Sequence, residues 1–162
     1  NIVPVAISYE YDPCDYLKAR EFQLKRDVEG GQKSPQDDVE SMRVGIMGFK
    51  GRIHYHCAPC VDDWLESIGS TLPKTELFNA LAEEIDKRIF SSYRIYANNY
   101  VAAHMLGDTD YSDKFTKEEE ETFMRYIDGQ LTKIDIPDKD EEYLRERLLV
   151  MYANPLFNSL KV

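Results

Sequence analysis

The sequence predicts an α/β chain that is predominantly helical, with two strands at about residues 2–8 and 51–57 completing a sheet whose other strands lie upstream, and about six helices. Three observations lead there. Ile2, Val3, Pro4, Val5, Ala6 and Ile7 form an unbroken apolar run, the pattern of a strand covered on both faces. Only one other segment reads as a strand, and an isolated pair of strands is marginal, so further strands are expected before Asn1. Most of what remains carries helical periodicity between recognisable caps.

Taken in order, Pro4 cannot donate to a ladder, which predicts an edge position or a bulge in the first strand. Asp12 and Pro13 open a helix running to about Val28, with Leu17, Leu24 and Val28 along one side, and Gly30 and Gly31 end it. Ser34 is an N-cap with Pro35 at the first helical position, starting a helix through Val39, Met42 and Ile46 that stops near Gly48. In the second strand, Ile53, Tyr55 and Cys57 alternate with Arg52, His54 and His56.

Val61 to Ile68 is a short helix carrying the single tryptophan, Trp64, and Pro73 starts a long one. On it Leu77, Leu81, Ile85 and Ile89 recur every four residues, widened by Phe78, Ala82 and Phe90, which predicts a core-facing helix. Asn98 to Leu106 forms another. Thr116 and Glu119 make a capping box ahead of Phe123, Ile127 and Leu131. Asp138 is expected to cap the last helix, with Leu144, Leu148 and Met151 facing inward and Asn154-Pro155 ending it.

Composition narrows the function classes. A net charge of −10 and a pI near 4.8 oppose any broad surface for DNA, RNA or anionic headgroups. Cys14, Cys57 and Cys60 are too few and too unevenly spaced for a secreted disulfide scaffold, so reduced thiols in a cytoplasm are the simpler expectation. No window approaches the roughly 18 apolar residues of a spanning helix. The chain opens at Asn1 without an initiator Met or a signal segment, which reads as a start inside a longer protein.

The search for chemistry returns few candidates. None of His54, His56 and His104 has an Asp five positions on, and there is no Gly-x-Ser-x-Gly elbow or phosphate loop. Gly45 and Gly48 surround a helix end and read as turn and cap residues. His54, His56, Cys57 and Cys60 are the sharpest cluster for zinc, but strand alternation splits them between two faces, and no metal is expected. His104, among Val101, Ala102, Ala103 and Met105, reads as a hydrogen-bonded helix residue. Glu118 to Glu121 suit the first turn of a helix, and Tyr93, Tyr96 and Tyr100 read as packing.

The opening segment carries a more specific signal. Val3-Pro4-Val5, within Asn1 to Ile7, resembles the Val-Pro-Val/Ile strand that is the fourth conserved block of the glycerolipid and lysophospholipid acyltransferases. Ser8 to Asp15 and Phe49 to His54 are similar to the continuation of a bacterial branch of that family. The resemblance covers about the first third of the chain. It implies that residues 1–59 are the C-terminal part of the acyltransferase α/β domain and that 60–162 form a helical extension. It implies a parent enzyme that moves an acyl group from a thioester donor to a hydroxyl of a glycerol phosphate or lysophospholipid, without a cofactor, in the cytoplasm or peripheral on its membrane.

In that family a His acts as general base on the acceptor and an Asp five positions later orients it, while a Glu-Gly-x-Arg segment holds the acceptor phosphate. Both precede the Val-Pro strand. The one Glu-Gly here, Glu29-Gly30, continues with Gly31 and Gln32. The resemblance therefore assigns only Val3, Pro4 and Val5, as walls of the substrate pocket, and no catalytic residue. Apolar surface around Ile2 to Ile7 is expected to stand open in this chain, or to be covered by self-association. The alternative from another class is a helical interaction or regulatory module.

Overall fold

β1 spans Val5–Tyr9 and β2 Ile53–Cys57, and the two pair antiparallel. The computed structural model describes residues 1–27, 34–68 and 72–162, and among them these are the only strands. Seven α-helices accompany them: α1 Asp15–Asp27, α2 Pro35–Met47, α3 Asp62–Ile68, α4 Lys74–Phe90, α5 Ala97–Met105, α6 Lys117–Thr132 and α7 Glu141–Ser159. A 3-10 turn lies at Thr109–Tyr111. The chain is thus mostly helical α/β, with one helix more than the count expected. The expected first-helix end at Val28, Gly30 and Gly31, and the Glu29-Gly30 pair, lie outside the described residues.

Two compact units are interleaved along the chain. The first comprises Asn1–Ser8, Ile53–Ile95 and Pro155–Val162, the second Tyr9–Arg52 and Tyr96–Asn154. In the first unit, the Pro4 carbonyl accepts from the Ala58 N–H at 2.9 Å and the Ile2 carbonyl from Val61 at 3.0 Å, so pairing runs past the N-terminal end of β1. That ladder sets Ala6 opposite His56 and Val5 opposite Cys57. Ala6, Ala58 and Val61 are buried there.

α4 departs from expectation. Leu77, Leu81, Ile85 and Ile89 are only half-buried, Phe78 and Ala82 are exposed, and no residue of this helix is fully buried. The stripe is real, but its cover is partial.

In the second unit α6 packs on α5 and α1. Phe123, Ile127 and Leu131 of α6 are buried with Val101, Ala102 and Ala103 of α5, and Leu144 and Leu148 of α7 join the buried set. The Thr116 box forms as expected: its Oγ1 accepts from the Glu119 N–H at 3.2 Å, and Glu119 Oε2 accepts from the Thr116 N–H at 2.8 Å. The Ser34 box on α2 forms likewise with Asp37.

α1 corrects the sequence reading. Its buried residues are Asp15, Ala19 and Gln23, not Leu17 and Leu24, because polar side chains with good partners can take core positions. Gln23 donates to the Asp138 carbonyl at 2.9 Å and accepts from the Asp140 N–H at 3.1 Å. Asp12 lies ahead of the helix in a turn, its Oδ1 accepting from the Cys14 N–H at 2.9 Å.

The last helix also differs. Asp140, not Asp138, caps α7, accepting from the Tyr143 N–H at 3.0 Å, while Asp138 takes the left-handed turn conformation, φ 50°, that precedes it. α7 does not end at Asn154. Proline inside a helix removes one hydrogen bond, yet the helix runs through Pro155 to Ser159. Leu156, one residue later, is buried and anchors the continuation.

Candidate functional site

The three residues assigned to a pocket wall fall on two faces of one strand. Val3, Val5 and Ile7 are each 45–50% exposed, whereas Pro4, Ala6 and Ser8 are buried. On the open face the ladder sets Val5 against Cys57 and Ile7 against Tyr55, which is itself 61% exposed. The result is an uncovered apolar sheet face, not a strand enclosed on both sides. Below the sheet, Ser8 Oγ accepts from the Arg94 N–H at 3.0 Å and fixes the end of β1 within its unit.

His54 and His56 share the face of Ala6 and Ser8, their rings stacked at 6.5 Å, and Cys57 points the other way. The loop to Cys60 is held by Arg88 of α4. Its guanidinium donates to the carbonyls of Pro59 and Cys60 at 2.8 and 2.9 Å and to Glu84 at 2.6 Å. This makes Pro59 and Cys60 a docked turn. No group of three His, Cys, Asp or Glu with metal-binding geometry occurs among the described residues.

The His104 ring lies 5.5 Å from that of Phe115, and its buried Nδ1 meets no hydrogen-bond partner among the described residues. Tyr93 packs on Phe90, Tyr100 on Tyr111, and Tyr96 is buried at the start of α5. Each ring therefore has a separate packing role.

The most tightly organised polar centre is one the sequence reading missed. Asp15, fully buried at the start of α1, accepts from the hydroxyls of Tyr126 on α6 and Tyr152 on α7, both at 2.7 Å, and from the Tyr16 N–H at 2.5 Å. Tyr152 in turn accepts from the Asp12 N–H at 3.1 Å. The Tyr11 ring lies 4.4 Å from that of Tyr126. Burial pushes the Asp15 carboxyl above the usual range, against the two tyrosine hydrogen bonds, which favour its ionised form. Burial and the adjacent carboxylate push both hydroxyls upward, so they stay protonated. A hint was present: Tyr126 and Tyr152 sit inside apolar stripes, where a buried hydroxyl needs an acceptor.

Beside this centre, within the same unit, lies an open cleft of about 390 Å³ lined by Glu10, Tyr11, Arg52, Asn98 and the first turn of α6. Arg52 donates to Glu10 at 2.8 Å and stands 4.9 Å over the Tyr96 ring. Partial burial raises the Glu10 carboxyl, but hydrogen bonds and charge from Arg52 outweigh it and hold the group below the usual carboxylate range. Asn98 donates to the Glu10 carbonyl. Glu119 is engaged in its cap, so the acidic run serves the helix.

Within these sites the hydroxyl and carboxylate of the Asp15 centre are enclosed, and the cleft's guanidinium is engaged by Glu10. Neither pairs a nucleophile with an accessible base. Comparison with family models, curated proteins and solved structures gives no match for the chain.

Proposed function

We propose that this chain is a structural and pocket-forming portion of an acyltransferase that moves an acyl group from a thioester donor to a glycerol phosphate or lysophospholipid hydroxyl. One observation carries the reading: the strand bearing Val3-Pro4-Val5 presents Val3, Val5 and Ile7 on an uncovered apolar face. A strand of that composition supports a role as one wall of an apolar site, with the opposite wall supplied by other residues of the parent protein. The motifs of this chain offer no general base for an acceptor hydroxyl, so the proton transfer belongs to a His and Asp outside it. We read the parent as a cytoplasmic protein, peripheral at a membrane where such acceptors reside. No described helix is long and apolar enough to cross one.

The test has two parts. Purified alone, the chain should consume no acyl thioester with glycerol phosphate or lysophosphatidate as acceptor. The gene upstream of Asn1 should encode a His with an Asp five positions on, followed by a Glu-Gly-x-Arg segment, and changing that His to Ala in the full protein should abolish transfer. Turnover by the chain itself, or an upstream sequence without the pair, overturns the proposal.

A further inference from the structure

We infer that the open cleft at the N-terminal ends of α5 and α6 is a binding site for a small alkyl diamine, whose ammonium groups are held by Asn98 and Glu118. This inference is independent of the acyltransferase reading.

The cleft lies wholly within the second unit and holds about 390 Å³. Asn98, in the first turn of α5, lines it and is 5% exposed. One arm of the Asn98 amide donates to the Glu10 carbonyl, whereas the other, Oδ1, is buried and meets no hydrogen-bond partner among the described residues. The neighbouring Asn99 has both arms engaged: its Oδ1 accepts from the Tyr96 N–H at 2.7 Å, and its Nδ2 donates to the Tyr152 carbonyl at 2.8 Å. A buried acceptor left unpaired is costly, so the Asn98 position favours a ligand that brings a donor.

The charges around Asn98 say what carries that donor. Glu10, Glu118 and Glu119 line the cleft against one guanidinium, that of Arg52, an excess of two negative charges. Arg52 is engaged by Glu10 at 2.8 Å, and Glu119 is held in the Thr116 box. That leaves Glu118, exposed in the first turn of α6, as the cleft carboxylate without an ion pair among the described residues. An alkylammonium group satisfies both needs at once, since it is cationic and carries three donors. Tyr11 and Phe123 supply an apolar side for the methylene chain that joins two such groups.

Other occupants fit less well. An anion would gain from the two helix N-termini, but it would stand against Glu118 and Glu119 and give Asn98 Oδ1 no donor. A metal ion needs converging ligands, and no group of three His, Cys, Asp or Glu with that geometry occurs among the described residues.

Titration of the 162-residue chain with diaminobutane, followed through the side-chain and backbone amide resonances of Asn98, tests this. The expected result is a saturable shift with Kd on the order of 1 mM. Butanediol keeps donors and loses the charge, and the fully N-methylated diamine keeps the charge and loses the donors; each should bind about tenfold more weakly. Glu118→Gln should weaken the diamine about threefold, whereas Asp63→Asn, which removes the same charge from α3 outside the cleft, should leave Kd unchanged. Thr122→Lys, one turn after Glu118, sets a tethered ammonium in the cleft and should abolish binding. Far-UV circular dichroism checks that each variant folds. No saturable shift at about 20 mM diamine overturns the inference. So does an N-methylated analogue that binds as tightly, an equal effect of Glu118→Gln and Asp63→Asn, or inorganic phosphate or calcium that binds at Asn98 more tightly than the diamine.

Discussion

Asp15→Ala should destabilise the second unit by about 2–4 kcal/mol, through the hydroxyl it strands more than the carboxylate it removes. Tyr126 and Tyr152 both donate to Asp15 Oδ2 at 2.7 Å, and their own oxygens are 3.1 Å apart. Without the carboxylate one hydroxyl can turn to the other, but the second loses its acceptor at 2.7 Å, and a buried orphan donor costs about 1–3 kcal/mol. The side-chain void adds about 1 kcal/mol. Asp15→Asn retains an acceptor oxygen and should lose less. Urea unfolding followed by far-UV circular dichroism, compared at matched slope, gives the difference.

The pH dependence fixes the sign independently. Burial raises the folded carboxyl above its unfolded value, so the protonated form is the one the fold favours. The stability it contributes is fully present below the unfolded Asp value of about 3.9 and is lost as pH rises through the folded value. The stability of the wild type relative to Asp15→Asn should therefore fall as pH climbs from about 4. A loss under about 0.5 kcal/mol for Asp15→Ala, the level of an ordinary surface change, would refute the reasoning. So would a difference between wild type and Asp15→Asn that is flat from pH 4 to 8.

Two further substitutions probe the packing. Gly48→Ala should cost about 1–3 kcal/mol, because its Cβ would stand 2.4 Å from Pro13 Cβ and 2.6 Å from the Val44 carbonyl, read as a lower urea midpoint. Gly129→Ala is its control: this α6 position is open within 4 Å and should stabilise by up to about 1 kcal/mol. Arg88→Gln should release the Pro59 and Cys60 carbonyls, lowering stability by about 1–2 kcal/mol and quickening thiol labelling of Cys60; unchanged labelling would show that the turn holds itself.

The elements legible in the sequence are those set by local chemistry. Ser34 and Thr116 each announce a helix start because a hydroxyl and a carboxylate three residues apart satisfy both ends of the box. Asp138 and Asp140 both precede the last helix, and only the left-handed backbone at Asp138 separates a turn from a cap. The Asp15 centre was hidden for another reason. Its members are separated by 111 and 137 positions, and an aspartate at a helix start reads equally well as a solvated first-turn charge.

The apolar runs teach a different lesson, because a sequence shows that a face is apolar without showing what covers it. Val3, Val5 and Ile7 read as one half of a doubly covered strand, and Leu77 to Ile89 as a core stripe. The first face is open and the second half-open. Covering a Val, Ile or Leu fully is worth about 1.5–3 kcal/mol, so each open face is a standing affinity for some surface. Polar chemistry at its margins decides how selective such a face is, and the sheet face ends in strand edges, whose unpaired backbone groups accept any strand and choose little.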